Sequence, residues 1–112
     1  MIVDDNRDMR RMLCSIVSMS LGKPVELIEC ESGEEAVEQF DLHLPDHILM
    51  DVQLGAMNGF TAAEHIITKH PGASVIFVSS HNTSAYRVKA LQLHAAGFVS
   101  KDHLSELDSL LQ

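Results

Sequence analysis

Six side chains in this sequence could do chemistry together, and each stands where a short apolar run gives way to polar residues. Asp4 and Asp5 follow Ile2-Val3, Asp51 follows Ile48-Leu49-Met50, Ser79 and Ser80 follow Val75-Ile76-Phe77-Val78, and Lys101 closes the run Gly97-Phe98-Val99-Ser100. If these runs lie side by side with their ends together, three carboxylates from distant segments converge in one cleft. Like charges at that spacing repel, and at least one pKa rises unless a cation joins them. An all-oxygen ligand set of this size suits Mg2+, which keeps several waters and takes one or two carboxylates plus a phosphate oxygen. A carboxylate nucleophile, a hard metal, a hydroxyl and an ammonium are the parts needed to transfer a phosphoryl group to an aspartate. Metal and ammonium neutralise the equatorial oxygens while the carboxylate attacks in line. The product expected is an acyl phosphate on Asp51.

Positioning these groups requires a sheet, and the apolar pattern supplies one. Short apolar runs at 1–3, 25–30, 48–50, 75–78 and 97–99 predict five strands. Between them run helical stripes: Met9, Met12, Leu13, Ile16 and Val17; Ala36, Val37 and Phe40; Phe60, Ala63 and Ile67; Val88, Leu91 and Ala95; and Leu104, Leu107, Leu110 and Leu111. Asn6 can cap the first helix, and Gly22 with Pro24 stops it. Ser32 with Glu35 has the form of a capping box, while Leu44-Pro45-Asp46 and His70-Pro71-Gly72 read as turns. Strict alternation of strand and helix predicts an α/β domain with a parallel sheet covered on both faces. Glu26 and Glu29 alternate with apolar neighbours, which places the second strand at an edge. Right-handed crossovers then favour an open, doubly wound (βα)5 flavodoxin-like domain of strand order 2-1-3-4-5, with ligands expected beyond the carboxyl ends of strands 1 and 3.

Composition bounds the function. The 112 residues are one domain's worth, 46% hydrophobic and only 4% aromatic, so the core is aliphatic. Eight Lys and Arg against sixteen Asp and Glu give a net charge of -8, which argues against direct nucleic-acid binding or an anionic membrane surface. No apolar run approaches the ~18 residues of a membrane span, and the early acids spoil a secretory signal, so a cytoplasmic protein is expected. Cys14 and Cys30 sit in apolar surroundings without paired metal or redox spacing and read as buried, reduced thiols. Histidines at 43, 47, 65, 70, 81, 94 and 103 are scattered over different elements and predict no histidine-bound metal. The glycines form neither GxGxxG nor a P-loop, so nucleotide binding has no support.

The chain resembles a response-regulator receiver domain of two-component signalling. The likeness runs from Ile2-Val3-Asp4-Asp5-Asn6, through Asp46-His47-Ile48-Leu49-Met50-Asp51 and Met57-Asn58-Gly59, to Ile76-Phe77-Val78-Ser79 and Gly97-Phe98-Val99-Ser100-Lys101, and covers residues 1–112 as one receiver domain. The resemblance implies that Asp51 is the phosphoacceptor and that Mg2+ is held by Asp4, Asp5, Asp51 and the backbone carbonyl of Gln53. It implies that Ser79 and Lys101 contact the phosphoryl group, that Phe98 swings inward when Ser79 moves, and that Gln53 and His81 set the lifetime of the phosphoryl group. It also implies a sensor histidine kinase or phosphotransfer protein as donor, and a homodimer on phosphorylation. Three departures stand out: Gly55 where the family often has Pro, Asp102 where it has Pro after a cis peptide, and very little chain before Asp4. A cis bond without proline costs ~3 kcal/mol, so either a trans bond at Lys101-Asp102 or strain held by the site is expected. The Lys-Asp pair resembles receivers that precede a helix-turn-helix domain, so a C-terminal DNA-binding output domain absent from these residues, and a role in transcription, are expected alternatives to a standalone receiver.

The function expected is a phosphorylation-activated switch that alters its helix 4, strand 5, helix 5 face. It takes and slowly loses its own phosphoryl group and is not a metabolic enzyme. One rival, an aspartyl-phosphate hydrolase, commonly needs an acid two residues after the nucleophile, and Gln53 cannot protonate a leaving group. The other, a receiver-like binding module that is never phosphorylated, is disfavoured by the complete set of acids, hydroxyl and lysine.

Overall fold

The computed structural model describes residues 1–112, and strands and helices alternate through it as the apolar periods predict. The order is β1 (Ile2–Val3), α1 (Arg7–Leu21), β2 (Glu29–Cys30), α2 (Gly33–His43), β3 (Ile48–Met50), α3 (Gly59–Lys69), β4 (Val75–Ser79), α4 (Ser84–Gln92), β5 (Gly97–Ser100), a 3-10 turn over Leu104–Glu106 and α5 (Leu107–Leu111). The strands form one parallel sheet of order β2-β1-β3-β4-β5, with β2 and β5 at its edges.

Alternation along the strands divides the core in two. Ile2, Leu49, Ile76, Val78 and Val99 bury against Leu13 and Val17 of α1 and Leu107 and Leu111 of α5. Val3, Met50, Val75 and Phe77 face the other way, with Ala36 and Phe40 of α2, Phe60, Ala63 and Ile66 of α3 and Ala90 of α4. Each fully buried Leu, Ile or Phe contributes about 1.5–3 kcal/mol, so both faces of the thin sheet are needed to hold it.

Helix starts follow local chemistry. The side chains of Asn6, Ser32, Asn58 and Thr83 each accept from a backbone N–H in the first turn of α1, α2, α3 and α4. Gly22 ends α1 in the left-handed conformation at φ 60°. All peptide bonds are trans, including Lys101-Asp102. No helix is long and apolar enough to cross a membrane.

Five expectations need correction. The second strand is confined to Glu29–Cys30 rather than spanning 25–30, because a parallel ladder is only as long as its partner and β1 pairs just Ile2 and Val3. Glu35 does not close a capping box on Ser32: its carboxylate accepts from the N–H of Glu31, one residue earlier. Met12 is 51% exposed, and Arg10 takes the buried place one turn before Leu13 and two turns before Val17. On α4, Val88 and Leu91 are exposed and Ala95 lies beyond the helix, so the predicted stripe is out of phase. Tyr86 and Ala90 face the core instead; the Tyr86 ring packs edge-on against Phe60 at 5.3 Å and fixes the helix's rotation. Cys30 is buried, as expected, whereas Cys14 is only half-buried.

Candidate functional site

Sheet register brings the acids together. Ile2 pairs with Leu49 and Val3 with Met50, so one further step along β1 and β3 sets Asp4 opposite Asp51, with the N–H of Asp51 bonded to the Val3 carbonyl at 2.9 Å. Both carboxylates are buried. Asp5, the next residue on the loop, is exposed, yet oxygens of Asp4, Asp5 and Asp51 all lie within 4.8 Å of one another. The three-carboxylate cluster expected from the strand ends is therefore present.

Lys101 reaches the cluster from the far edge. β4 and β5 pair through Ser79 and Ser100, and the N–H of Lys101 donates to the Ser79 carbonyl at 2.9 Å. Its Nζ stands 2.9 Å from Asp4 Oδ2 and 3.3 Å from Asp51 Oδ2. Burial would lower the Lys101 pKa, but the adjoining charges of Asp4 and Asp51 outweigh it and hold the ammonium above the usual lysine range. Burial pushes the Asp51 carboxyl above the usual carboxylate range; Lys101 offsets this in part, and the Asp4 charge adds to it. One ammonium thus faces three acids, and the cleft keeps a negative surplus.

The donors present fit a hard divalent cation. Asp4 Oδ1 accepts the N–H of Asn6 at 2.9 Å, while Asp4 Oδ2 is fully buried and accepts no hydrogen bond, its contact with Lys101 being an ion pair only. With one ammonium shared among three carboxylates, the cluster keeps negative charge that a divalent cation would balance. Asp51 Oδ1 accepts the N–H of Gln53 at 3.3 Å, and the Gln53 side chain is exposed.

The remaining expected residues lie around this cluster. Ser79 is the last residue of β4 rather than the first beyond it; it is fully buried, and its Oγ accepts the N–H of His81 at 3.0 Å. That leaves the hydroxyl proton free to donate elsewhere. Ser80 and His81 are exposed on the following loop. Phe98 lies opposite Phe77 in the β4–β5 ladder and is half-buried, with the Arg87 guanidinium 5.0 Å over its ring. Gly55 has φ 91°, so the loop after Asp51 turns through the left-handed region at that glycine. No three histidines approach one another closely enough to share a metal.

Two contributors were not legible as such. Gly59 opens α3 directly against the backbone of Asp51 and Val52, where any Cβ would collide. Arg10 is buried on α1 and donates from Nη1 to the Asp4 carbonyl at 2.7 Å. A signal for Arg10 existed: it falls three and seven residues before Leu13 and Val17, in line with the apolar stripe.

Comparison with known proteins places this geometry. The family model of the response regulator receiver domain matches residues 1–112. The chemotaxis protein CheY of Listeria monocytogenes is 36% identical over 101 residues, covering 90% of this chain and 83% of that protein. The transcriptional regulatory protein DegU of Brevibacillus brevis is 31% identical over 111 residues, covering 99% of this chain but only 46% of its own length. A protein-glutamate methylesterase of Oleidesulfovibrio alaskensis is 34% identical over 102 residues, and this chain spans just 27% of it. Among solved structures, the signal receiver domain of the putative response regulator NarL from Mycobacterium tuberculosis superposes with a TM-score of 0.84 at 30% identity, covering 97% of this chain and 92% of that one. CheY in the CheX-CheY-BeF3-Mg complex from Borrelia burgdorferi gives 0.86 at 25% identity, over 98% and 83%.

Proposed function

The chain belongs to the response regulator receiver domain family, a signalling and not a metabolic family, and on that premise we propose that residues 1–112 act as one receiver domain switched by phosphorylation of Asp51. The single observation that carries this reading is the convergence of Asp4, Asp5 and Asp51 beside the Lys101 ammonium, with one buried Asp4 oxygen left without a hydrogen bond.

In the proposed reaction, an Asp51 carboxylate oxygen attacks the phosphorus of a phosphohistidine on a sensor kinase or phosphotransfer protein. The P–N bond breaks, the electron pair leaves with the imidazole, and an acyl phosphate forms on Asp51. Asp4, Asp5 and Asp51, with the Gln53 carbonyl, would hold Mg2+, which when bound supplies charge neutralisation for the transferring oxygens. Lys101, already beside Asp51, contributes a second positive charge without having to move far. The Ser79 hydroxyl, which uses an acceptor site toward His81 and keeps its proton, donates to the phosphoryl group once it is attached. His81 and the Gln53 side chain, both exposed at the mouth, govern water's approach and so the lifetime of the acyl phosphate.

Transmission runs along the sheet edge. Ser79 and Phe98 share the β4–β5 ladder, so a shift of Ser79 toward a phosphoryl group is felt by Phe98 and by α4. The face made by α4, β5 and α5 then changes what it binds: a second copy of the chain, a separate partner or a C-terminal DNA-binding output domain. DegU, named as a transcriptional regulator, is about twice the length matched here, which supports the last of these. A cytoplasmic setting accords with the reduced, unpaired Cys14 and Cys30.

The test is to incubate the chain with acetyl phosphate and Mg2+ and follow intact mass alongside amide spectra of residues 83 to 112. One base-labile phosphoryl group, lost when a chelator is present, with concerted shifts in that segment is the expected outcome. A chain that takes no phosphoryl group, or takes it with those spectra unchanged, would not be a phosphorylation switch.

A further inference from the structure

Asp5 is the one acid of the cluster whose carboxylate has no hydrogen bond or ion pair within the protein, so its direction is set by the backbone of the loop that carries it. That backbone has an unusual anchor. β2 ends at Cys30, whose carbonyl accepts the N–H of Asp4 at 3.1 Å, and the chain then turns into α2, so no strand amide reaches the Asp4 carbonyl. A buried carbonyl left unpaired destabilises the fold. Arg10 fills the gap: Nη1 donates to that carbonyl at 2.7 Å, Nε to Glu29 Oε1 at 3.2 Å, and Nη2 lies 3.5 Å from Glu31 Oε1. The side chain is only 8% exposed.

A cation next to a cation site should weaken it, and here the two glutamates answer that charge. With Glu29 and Glu31 beside it, Arg10 acts on the loop as an oriented donor more than as a positive charge. Only a guanidinium can serve the Asp4 carbonyl and Glu29 at once, because its donors diverge in a fixed plane; an ammonium on a lysine stem cannot. We propose that Arg10 is a positioning residue of the metal loop, holding the Asp4-Asp5 peptide so that the Asp5 carboxylate faces Asp4 and Asp51. The proposal rests on the reading of those three acids as a Mg2+ site.

The test is calorimetric titration of the folded chain with MgCl2. In Arg10→Lys and Arg10→Gln the Mg2+ Kd should rise about 10- to 100-fold, the usual effect of removing a group that orients a ligand. Leu13→Ala, on the same face of α1 but away from the loop, controls for loosening of the helix and should leave Kd unchanged although it melts lower. If Arg10→Gln fails to fold, Arg10→Lys, which keeps the buried stem and charge, decides alone. An unchanged Kd in Arg10→Lys, or an equal rise in Leu13→Ala, would overturn the role of Arg10 while leaving the site intact. Absence of Mg2+ binding by the unmodified chain would overturn the site itself.

Discussion

Gly59 and Asp51 are in backbone contact: a Cβ on Gly59 would overlap the Asp51 carbonyl oxygen and come within 2.9 Å of the Asp51 carbonyl carbon. The N–H of Gly59 also donates to the Val52 carbonyl at 2.7 Å. The first turn of α3, capped by Asn58, therefore braces the loop that presents the proposed phosphoacceptor. Gly59→Ala must push that loop away. Overpacking of this kind costs about 1–3 kcal/mol, and each kcal/mol lowers Tm by roughly 4–8 °C in a domain of about this size. The variant should melt lower and accept phosphate more slowly, whereas Gly72→Ala, with nothing within 4 Å of the added methyl, should do neither. Thermal melts with a phosphorylation time course on the two variants check this.

The raised pKa of Asp51 makes a pH-dependent stability prediction. A carboxyl that holds its proton more tightly when folded favours the native state at low pH, and that advantage is lost as pH rises from the ordinary aspartate value of 3.8 through the folded pKa. At neutral pH the ionised Asp51 is thus a net cost to the metal-free fold. Asp51→Asn should melt a few degrees higher than the unmodified chain at pH 7, with the gap closing below about pH 4. Saturating Mg2+ should stabilise the unmodified chain more than the variant, by mass action on a more complete site. Melting curves across pH, with and without Mg2+, measure both effects. A variant that melts lower at pH 7 would show that the acids do not strain one another.

Lys101 gives the opposite limb. Its pKa is raised, so the stability that its pairing with Asp4 and Asp51 contributes is complete below 10.5 and is lost as pH climbs through the higher folded value. Lys101→Met removes the countercharge from two buried acids, a change that typically costs about 3–5 kcal/mol. Its loss of Tm should be largest near neutral pH and should shrink in acid, where the carboxyls protonate.

Much of this was legible in the residues. The strand ends announce themselves because Ile-Val-Asp-Asp, Ile-Leu-Met-Asp and Phe-Val-Ser-Lys each switch from apolar to charged at one end of the sheet, and register alone then puts Asp4 across from Asp51. What escaped was set by tertiary contacts. The length of β2 depends on how much of β1 there is to pair with. The rotation of α4 depends on Tyr86 finding Phe60, which no local period encodes. Arg10 reads as a solvated charge among Arg7 and Arg11 until its stripe position is set beside a carbonyl that β2 leaves unpaired.

The two thiols should differ in reach. Burial first, then the nearby charge of Glu35, pushes the Cys30 thiol up to about 12, and Cys30 is fully buried. Cys14 is half-buried, its pKa also raised chiefly by burial. At pH 8 a thiol reagent should modify Cys14 slowly and Cys30 only after denaturation, since the thiolate is the reactive form. Peptide mapping after timed labelling reads this directly, and rapid native modification of Cys30 would contradict the packing of β2 against β1.

Ser79 should separate chemistry from response. Its hydroxyl is not the nucleophile, so Ser79→Ala should still be phosphorylated by acetyl phosphate. The lost acceptor for the His81 N–H should cost about 1 kcal/mol. The amide shifts of residues 83 to 112 on phosphorylation should fall sharply. An undiminished response in Ser79→Ala would remove it from the switch.

The central claim is that Asp51 receives the phosphoryl group, and the most direct measurement is to locate that group. The chain is phosphorylated with acetyl phosphate and Mg2+, reduced with borohydride to convert the acyl phosphate into homoserine, digested and sequenced by mass spectrometry. The expected result is homoserine at position 51 alone, and none in Asp51→Asn. Homoserine at Asp4 or Asp5, or an acid-stable phosphate on Ser79 or Ser80, would contradict it.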